Sequence, residues 1–228
     1  MKENTRKKTN RRAGLGNVGV AVDKRTLDQK VYMELRDAIM GGAFVPGQVL
    51  TLRGLAAELG TSLMPIRNAV SRLTVEQALD ATPNRSIMLP ELNVEEYDEM
   101  TEIRVSLESL ATRIATGCIS DAQLAHLEQL DDEMGSANPS HYFQLNRKFH
   151  FSLYEIARKP VLYRMIQSAW LRTGPLLNSL ESERTKLATV THDWTIAALK
   201  RRDSEDAAAS IAADIRSAAH VLRALIAH

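Results

Sequence analysis

The stretch "LRGLAAELGTSLMPIRNAVSRL", residues 52–73, decides how the front of this chain folds. Its first part, "LRGLAAELG", has the apolar spacing of a short amphipathic helix, and Gly60 ends it. "GTS" then makes a turn. Ser62 stands where a helix-capping side chain is wanted, and Pro65 is tolerated in a first helical turn. Ile66, Ala69, Val70 and Leu73 recur at helical spacing as an inner face.

Upstream, "TLDQKVYMELRDAIMGGAF" begins a helical pattern at Thr26, with Val31, Leu35 and Ile39 four apart. The glycines at 41 and 42 stop it, "PGQ" at 46–48 turns the chain, and a short "VLT" follows. Downstream, "ALDAT", "PNRS" and "IMLP" read as strand, turn and strand. Helix, short helix, turn, helix and hairpin is the order of a winged helix-turn-helix, here over residues 25–90. In that arrangement the helix after the turn fits the major groove, and the hairpin tip reaches an adjacent groove or phosphates. The residues expected on double-stranded DNA are Arg53, Thr61, Ser62, Arg67, Arg72, Asn84 and Arg85. Arg67 is placed for a base or phosphate, Arg53 and Arg85 for phosphates, and Thr61 and Ser62 for phosphate at a helix start. Each arginine alone reads as well as a solvated surface group. Their joint placement on this element order is what points to DNA.

After Pro90 the texture changes to six helical patterns, roughly 94–117, 121–135, 139–157, 160–180, 183–201 and 204–226. The breaks are "CISD", "GSANPS", "RKP", "ESE" and "RRDSED". In the first pattern Tyr97, Met100, Ile103, Leu107, Leu110 and Ile114 keep a spacing of three or four and are expected to face inward. The fold class is therefore mainly α: an N-terminal winged helix-turn-helix followed by a C-terminal six-helix antiparallel bundle over 91–228. Residues 1–24 read as a disordered basic tail. Its "GLGNVG" matches a dinucleotide fingerprint in form only, because "RKKTNRRA" before it cannot be a buried strand.

Charge divides the same way. Residues 1–90 carry 14 Lys and Arg against 8 Asp and Glu, and residues 91–228 carry 15 against 20. A basic front and an acidic rear suit different partners, with a polyanion for the first. No apolar run approaches a membrane span, no secretory signal is present, and the single Cys118 fits a reducing compartment, so a cytoplasmic protein is expected.

In the third bundle pattern, "FQLNRKFHFSL" at 143–153 sets His150 beside an apolar stripe, with Asn146 one turn earlier on the same face. A hydrogen-bonded core histidine and a ligand are both open readings. Arg104, on the first bundle helix, has two readings as well. It forms an intrahelical pair with Glu108, or it clamps a carboxylate through its guanidinium fork.

"PGQVLTLRGLAAELGTSLMPIRNAVSRLTVEQALDATPNRSIMLP" resembles the GntR family of bacterial repressors. Two of the three arginines that the family typically sets on DNA are present, as Arg53 and Arg67. The third is Leu63 here, and the wing glycine is Ser86. "EIRVSLES", "NRKFHFSLYEIARKPVL" and "THDWTIAALKRRD" resemble the FadR branch with its FCD-type helical domain, and six helices resemble the VanR-like subgroup. The resemblance implies a dimeric regulator that reads a palindromic operator and responds to a small organic-acid effector. It implies Arg104 as effector-binding, and a divalent metal (Zn, Ni, Mn or Fe) on Asn146, His150 and His192, with Asp214 where the family has a third His. Asp193 and His220 are expected to point elsewhere.

A metalloenzyme of small carboxylates fused to a DNA-binding module is the alternative. Against it stand the absence of H-E-x-x-H and of any Glu three residues before a His. A non-specific architectural DNA binder leaves the acidic rear domain without a use.

Overall fold

The computed structural model describes residues 26–81, 86–177 and 190–226. The expected basic tail and the wing tip with Asn84 and Arg85 lie outside the described residues.

Helix α1 (Leu27–Met40) starts at a capping box in which Thr26 and Gln29 satisfy each other's backbone N–H groups. It buries Val31, Leu35 and Ile39 as the spacing predicts. Helix α2 (Leu52–Glu58) is capped by Thr51, and α3 runs over Leu63–Val75. The turn between them is made by Gly60 in the left-handed region (φ +59), which costs glycine least. Ser62 holds the N-cap position of α3, but its hydroxyl makes no cap bond. Strands β2 (Asp80–Ala81) and β3 (Ile87–Met88) form the hairpin, and β1 (Val49–Leu50), from the short "VLT", joins it as a third antiparallel strand in the order β1-β3-β2.

The rear domain contributes α4 (Val94–Thr116), α5 (Asp121–Ser136), α6 (Pro139–Ile156), α7 (Pro160–Leu177), α8 (Val190–Lys200) and α9 (Ser204–Ile226). The starts of α4, α5, α6, α7 and α9 sit where the sequence predicts them, while the "ESE" break and the expected helix start at 183 lie outside the described residues. Asn93 and Ser120 build capping boxes, Asn138 caps α6 ahead of Pro139, and Pro160 opens α7. Helix α4 is central and packs against α6, α7 and α9.

One expectation about α4 holds only in part. Its buried face is Tyr97, Thr101, Arg104, Val105, Glu108, Ala111, Thr112 and Ala115, while Ile103 and Leu110 are 39% and 43% exposed. The apolar stripe read from the sequence thus reaches the core only in part: Tyr97 is buried and Leu107 and Ile114 pack against the core, while Ile103 and Leu110 lie toward solvent. Small and polar side chains let α4 approach its neighbours closely, and Thr101, Thr112 and Thr116 satisfy their hydroxyls on carbonyls four residues earlier.

The two domains share one continuous apolar core. They meet where α1 packs on α7, and Gly174 makes that approach possible. A Cβ there would fall 2.7 Å from the Met40 carbonyl oxygen. An Arg147–Asp37 ion pair at 3.2 Å spans the same joint.

Candidate DNA face and buried metal-type site

Helix α3 turns Pro65, Ile66, Ala69, Val70 and Leu73 inward, and this leaves Arg67 exposed one turn from its start. Arg53, near the start of α2, is exposed as well. Ser62 is exposed with its hydroxyl free of the cap. Leu63 and Met64 follow it, 40% and 61% exposed. Thr61 differs from the expectation: its Oγ1 is buried without a hydrogen-bond partner and is not presented outward. Arg72 is exposed on α3 and has partners within the protein as well. Its guanidinium lies 3.7 Å from the centre of the Tyr32 ring, and its Nε bonds Glu76 at 3.1 Å, so it joins α3 to α1.

Inside the bundle, α6, α8 and α9 bring three side chains to one point. His150 and His192 are each 1% exposed, and Asp214 is partly buried. His150 Nε2 lies 3.3 Å from Asp214 Oδ2 and 3.5 Å from His192 Nε2. One ligand atom from each of the three lies within 4.8 Å of the others. Asn146 is half-buried one turn before His150 on the same face of α6. Asp193 and His220 are exposed, away from this point.

The far side of the His150 imidazole is held, and that of His192 faces a carboxylate. His150 Nδ1 is 3.0 Å from the Tyr154 hydroxyl, and Tyr154 donates to Glu108 Oε2 at 2.6 Å. Since the Tyr154 proton goes to Glu108, its oxygen accepts the Nδ1 proton, and in the neutral imidazole the lone pair then lies on Nε2. Glu108 is wholly buried and takes two further donors, Arg104 Nε at 2.7 Å and Trp170 Nε1 at 3.0 Å. Trp170 also stacks over the Arg104 guanidinium at 4.5 Å. Burial opposes the Arg104 charge, but the Glu108 carboxylate outweighs it and moves the guanidinium pKa up. Burial, then the Glu108 charge, pushes the Tyr154 hydroxyl well above its ordinary value, so it remains a donor. His192 Nδ1 lies 3.3 Å from Asp131 Oδ1. The alignment is too poor for a hydrogen bond, and both atoms are buried without one.

These donors fit a metal ion. Zinc with ligands at about 2.0–2.1 Å sets tetrahedral donors roughly 3.3–3.4 Å apart. The two closest spacings here are 3.3 and 3.5 Å. Two imidazole nitrogens and a carboxylate that converge on one point repel each other unless a cation or proton lies between them. Tyr154 behind His150 and Asp131 behind His192 are the kind of outer partners that orient metal-binding imidazoles.

Of the sequence-predicted residues, His150, His192 and Asp214 converge. Arg104 makes the intrahelical pair with Glu108 and reaches the site through Tyr154. Sequence reasoning missed Tyr154, Trp170 and Asp131. Tyr154 had a signal, since it follows His150 by one helical turn. Asp131 and Trp170 come from other helices, and no local spacing announces them.

Residues 27–89 match the gntR family of bacterial regulatory proteins, and residues 99–217 match the FCD domain. The chain is 29% identical over 188 residues to the HTH-type transcriptional regulator McbR of Escherichia coli (strain K12), covering 79% of this chain and 85% of that one. It is 27% identical to the Nta operon transcriptional regulator of Aminobacter aminovorans, over 76% and 83% of the two chains. The solved structure of E. coli McbR/YncC superposes with a TM-score of 0.82 at 28% identity, over 88% of this chain and 99% of that one. A gntR-type regulator from Rhodococcus sp. RHA1 shares the fold, with a TM-score of 0.71.

Proposed function

The chain belongs to the gntR family of bacterial transcriptional regulators with an FCD domain, and on that premise we propose a dimeric repressor that binds a palindromic operator and senses a small organic acid. The observation that carries the sensing half is the convergence of His150, His192 and Asp214 inside the bundle.

Outside, Arg67 and Arg53 supply base and phosphate contacts, with Ser62 at the start of α3. Arg72, whose side chain stays exposed while it helps to pack α3 on α1, adds to the same positive face. Leu63 and Met64 present apolar groups where the family sets an arginine. Such groups suit thymine methyls better than guanine edges, so an A·T pair is expected opposite them. Inside, His150, His192 and Asp214, with Asn146 alongside, would hold one divalent ion, Zn, Ni, Mn or Fe. When bound, that ion supplies a Lewis-acid position for a carboxylate. Arg104 would add positive charge to the same interior while Glu108 keeps it in place.

A second copy of the chain would cover Ile103 and Leu110 of α4, which a single chain leaves exposed. Effector binding would then change the spacing of the two α3 helices relative to two half-sites. No described helix is long and apolar enough to cross a membrane, which agrees with a cytoplasmic regulator. The relatives named above are regulators, and none supports the metalloenzyme alternative.

Selection of duplexes from a genomic library, followed by mobility shift at physiological salt, tests the reading. A two-fold-symmetric site bound by a dimer is expected. Binding that ignores sequence, or a stable monomer on the duplex by light scattering, would overturn it.

A further inference from the structure

The joint between the domains carries a second feature besides the Gly174 contact. A groove of about 570 Å³ lies between one stripe of α1 (Gln29, Tyr32, Met33, Arg36), the end of α3 and one stripe of α7 (Arg164, Gln167, Ser168). It is separate from the His150 cluster and from the exposed face of Arg67.

The chemistry of its walls is one-sided. Three guanidiniums, from Arg36, Arg72 and Arg164, face a single carboxylate, Glu76. That carboxylate is already engaged. The Tyr32 hydroxyl, 2.8 Å from each of its oxygens, donates its one proton to it, and Arg72 Nε bonds it at 3.1 Å. Arg36 approaches it only to 4.0 Å, and Arg36 Nε is buried with no hydrogen-bond partner. The neighbouring Asp37 is taken by Arg147 from α6. Gln29 spends its amide oxygen on the Thr26 N–H, which leaves its NH2 to donate. Excess positive charge, a buried donor without an acceptor, and further donors from Gln167 and Ser168 together make an anion cradle.

We propose that this groove binds a small multivalent anion, a di- or tricarboxylate or a phosphate, which bridges Arg36 and Arg72 of the DNA-binding domain to Arg164 of the helical domain. One such ion joins donors from both domains. It therefore favours the arrangement in which α1 and α7 lie together, and it acts on operator affinity independently of the bundle interior. The site is distinct from the proposed metal and effector position, and its failure leaves the operator reading untouched.

Calorimetric titration of the metal-free full chain with citrate, and separately with inorganic phosphate, at ionic strength held constant with sodium chloride, tests this. One saturable site per chain is expected for at least one of the two, and the stronger arm identifies the source chemistry. Arg36→Ala and Arg164→Ala should each weaken it about tenfold or more, the loss of one charge-assisted hydrogen bond. Arg164 is exposed, so its variant should melt like the parent and keep the test valid if Arg36→Ala unfolds. Arg67→Ala and His150→Ala should leave the titration unchanged. No saturable heat with either anion, or affinity indifferent to Arg164→Ala, overturns the proposal. Loss in Arg67→Ala would put the anion on the DNA face, and loss in His150→Ala would put it inside the bundle; either result also overturns it.

Discussion

Arg67 and Glu108 are both charged residues on helices, and their surroundings are opposite. Arg67 projects from α3 into solvent, whereas Glu108 on α4 is wholly buried and is held by Arg104, Tyr154 and Trp170. The front domain folds around an apolar core and keeps its chemistry outside, where it awaits a polyanion. The rear domain does the reverse: it buries Arg104, Glu108, His150 and His192, and part of the apolar face of α4 is outside. A charge in solvent is cheap to keep and cheap to remove. A buried charge is tolerated only while every partner is present.

The largest expected effect is therefore at Glu108. Glu108→Ala leaves the Arg104 guanidinium buried without its carboxylate, together with two orphaned donors. A loss of about 3–5 kcal/mol is expected, on the order of ten degrees in melting temperature for a chain of this size. A loss no larger than that of a surface variant would remove the contrast between the domains.

Alkaline pH probes the interior next. Burial is the main cause that pushes the Tyr97 hydroxyl up to about 12, and Tyr154 moves the same way. A phenol with a raised folded-state pKa contributes stability that is complete below the unfolded value near 10. That contribution is lost as pH rises through about 12, because the unfolded chain ionises first. For Tyr97 the shift corresponds to about 2–3 kcal/mol. Melting temperatures followed from about pH 9 to about pH 12 should fall, and Tyr97→Phe should flatten that fall. An equal fall in the variant would place the titrating groups elsewhere.

Gly174 tests whether the two regions act as one body. Gly174→Ala drives a Cβ into the Met40 backbone, which cannot rotate away as a side chain would. A cost of about 1–3 kcal/mol is expected, with α1 less protected from amide exchange. Unchanged exchange in α1 would show that the domains do not rest on each other there.

The smallest effect on the fold is expected at Arg67. Arg67→Ala should leave the melting curve unchanged and cost specific operator binding about 1–3 kcal/mol or more. Unchanged affinity would mean that α3 docks differently from the reading given above.

The same contrast governs what could be read from the chain. The front domain was legible because its signals are local. Thr26 and Ser62 mark helix starts, Gly60 the turn, and Ile66, Ala69, Val70 and Leu73 the inner face, all within a few residues of each other. In the rear domain the helices were equally legible, since Asn93, Ser120, Asn138 and Pro160 announce them. The face of α4 was legible only in part. Which side of a central helix turns inward depends on what α6, α7 and α9 bring to it, and the sequence of α4 alone favoured Ile103 and Leu110. Asp131 and Trp170 escaped for the same reason. They meet the histidines only through packing between helices far apart in the chain. The contacts of Arg72 with the Tyr32 ring and Glu76 were not legible, because an exposed arginine on the recognition helix looks the same in sequence whichever partners it has. His150, His192 and Asp214 were reached through the family resemblance, and the structure gathers them.

The central claim is that the rear domain is built around a metal held by these interior residues, while the front domain reads DNA from its surface. Elemental analysis of untagged protein, in parallel with His150→Ala, tests it most directly. The account predicts close to one divalent ion per chain, lost in the variant. A metal-free protein whose melting temperature does not move on addition of zinc or nickel would contradict it, and would leave His150 as a hydrogen-bonded core histidine.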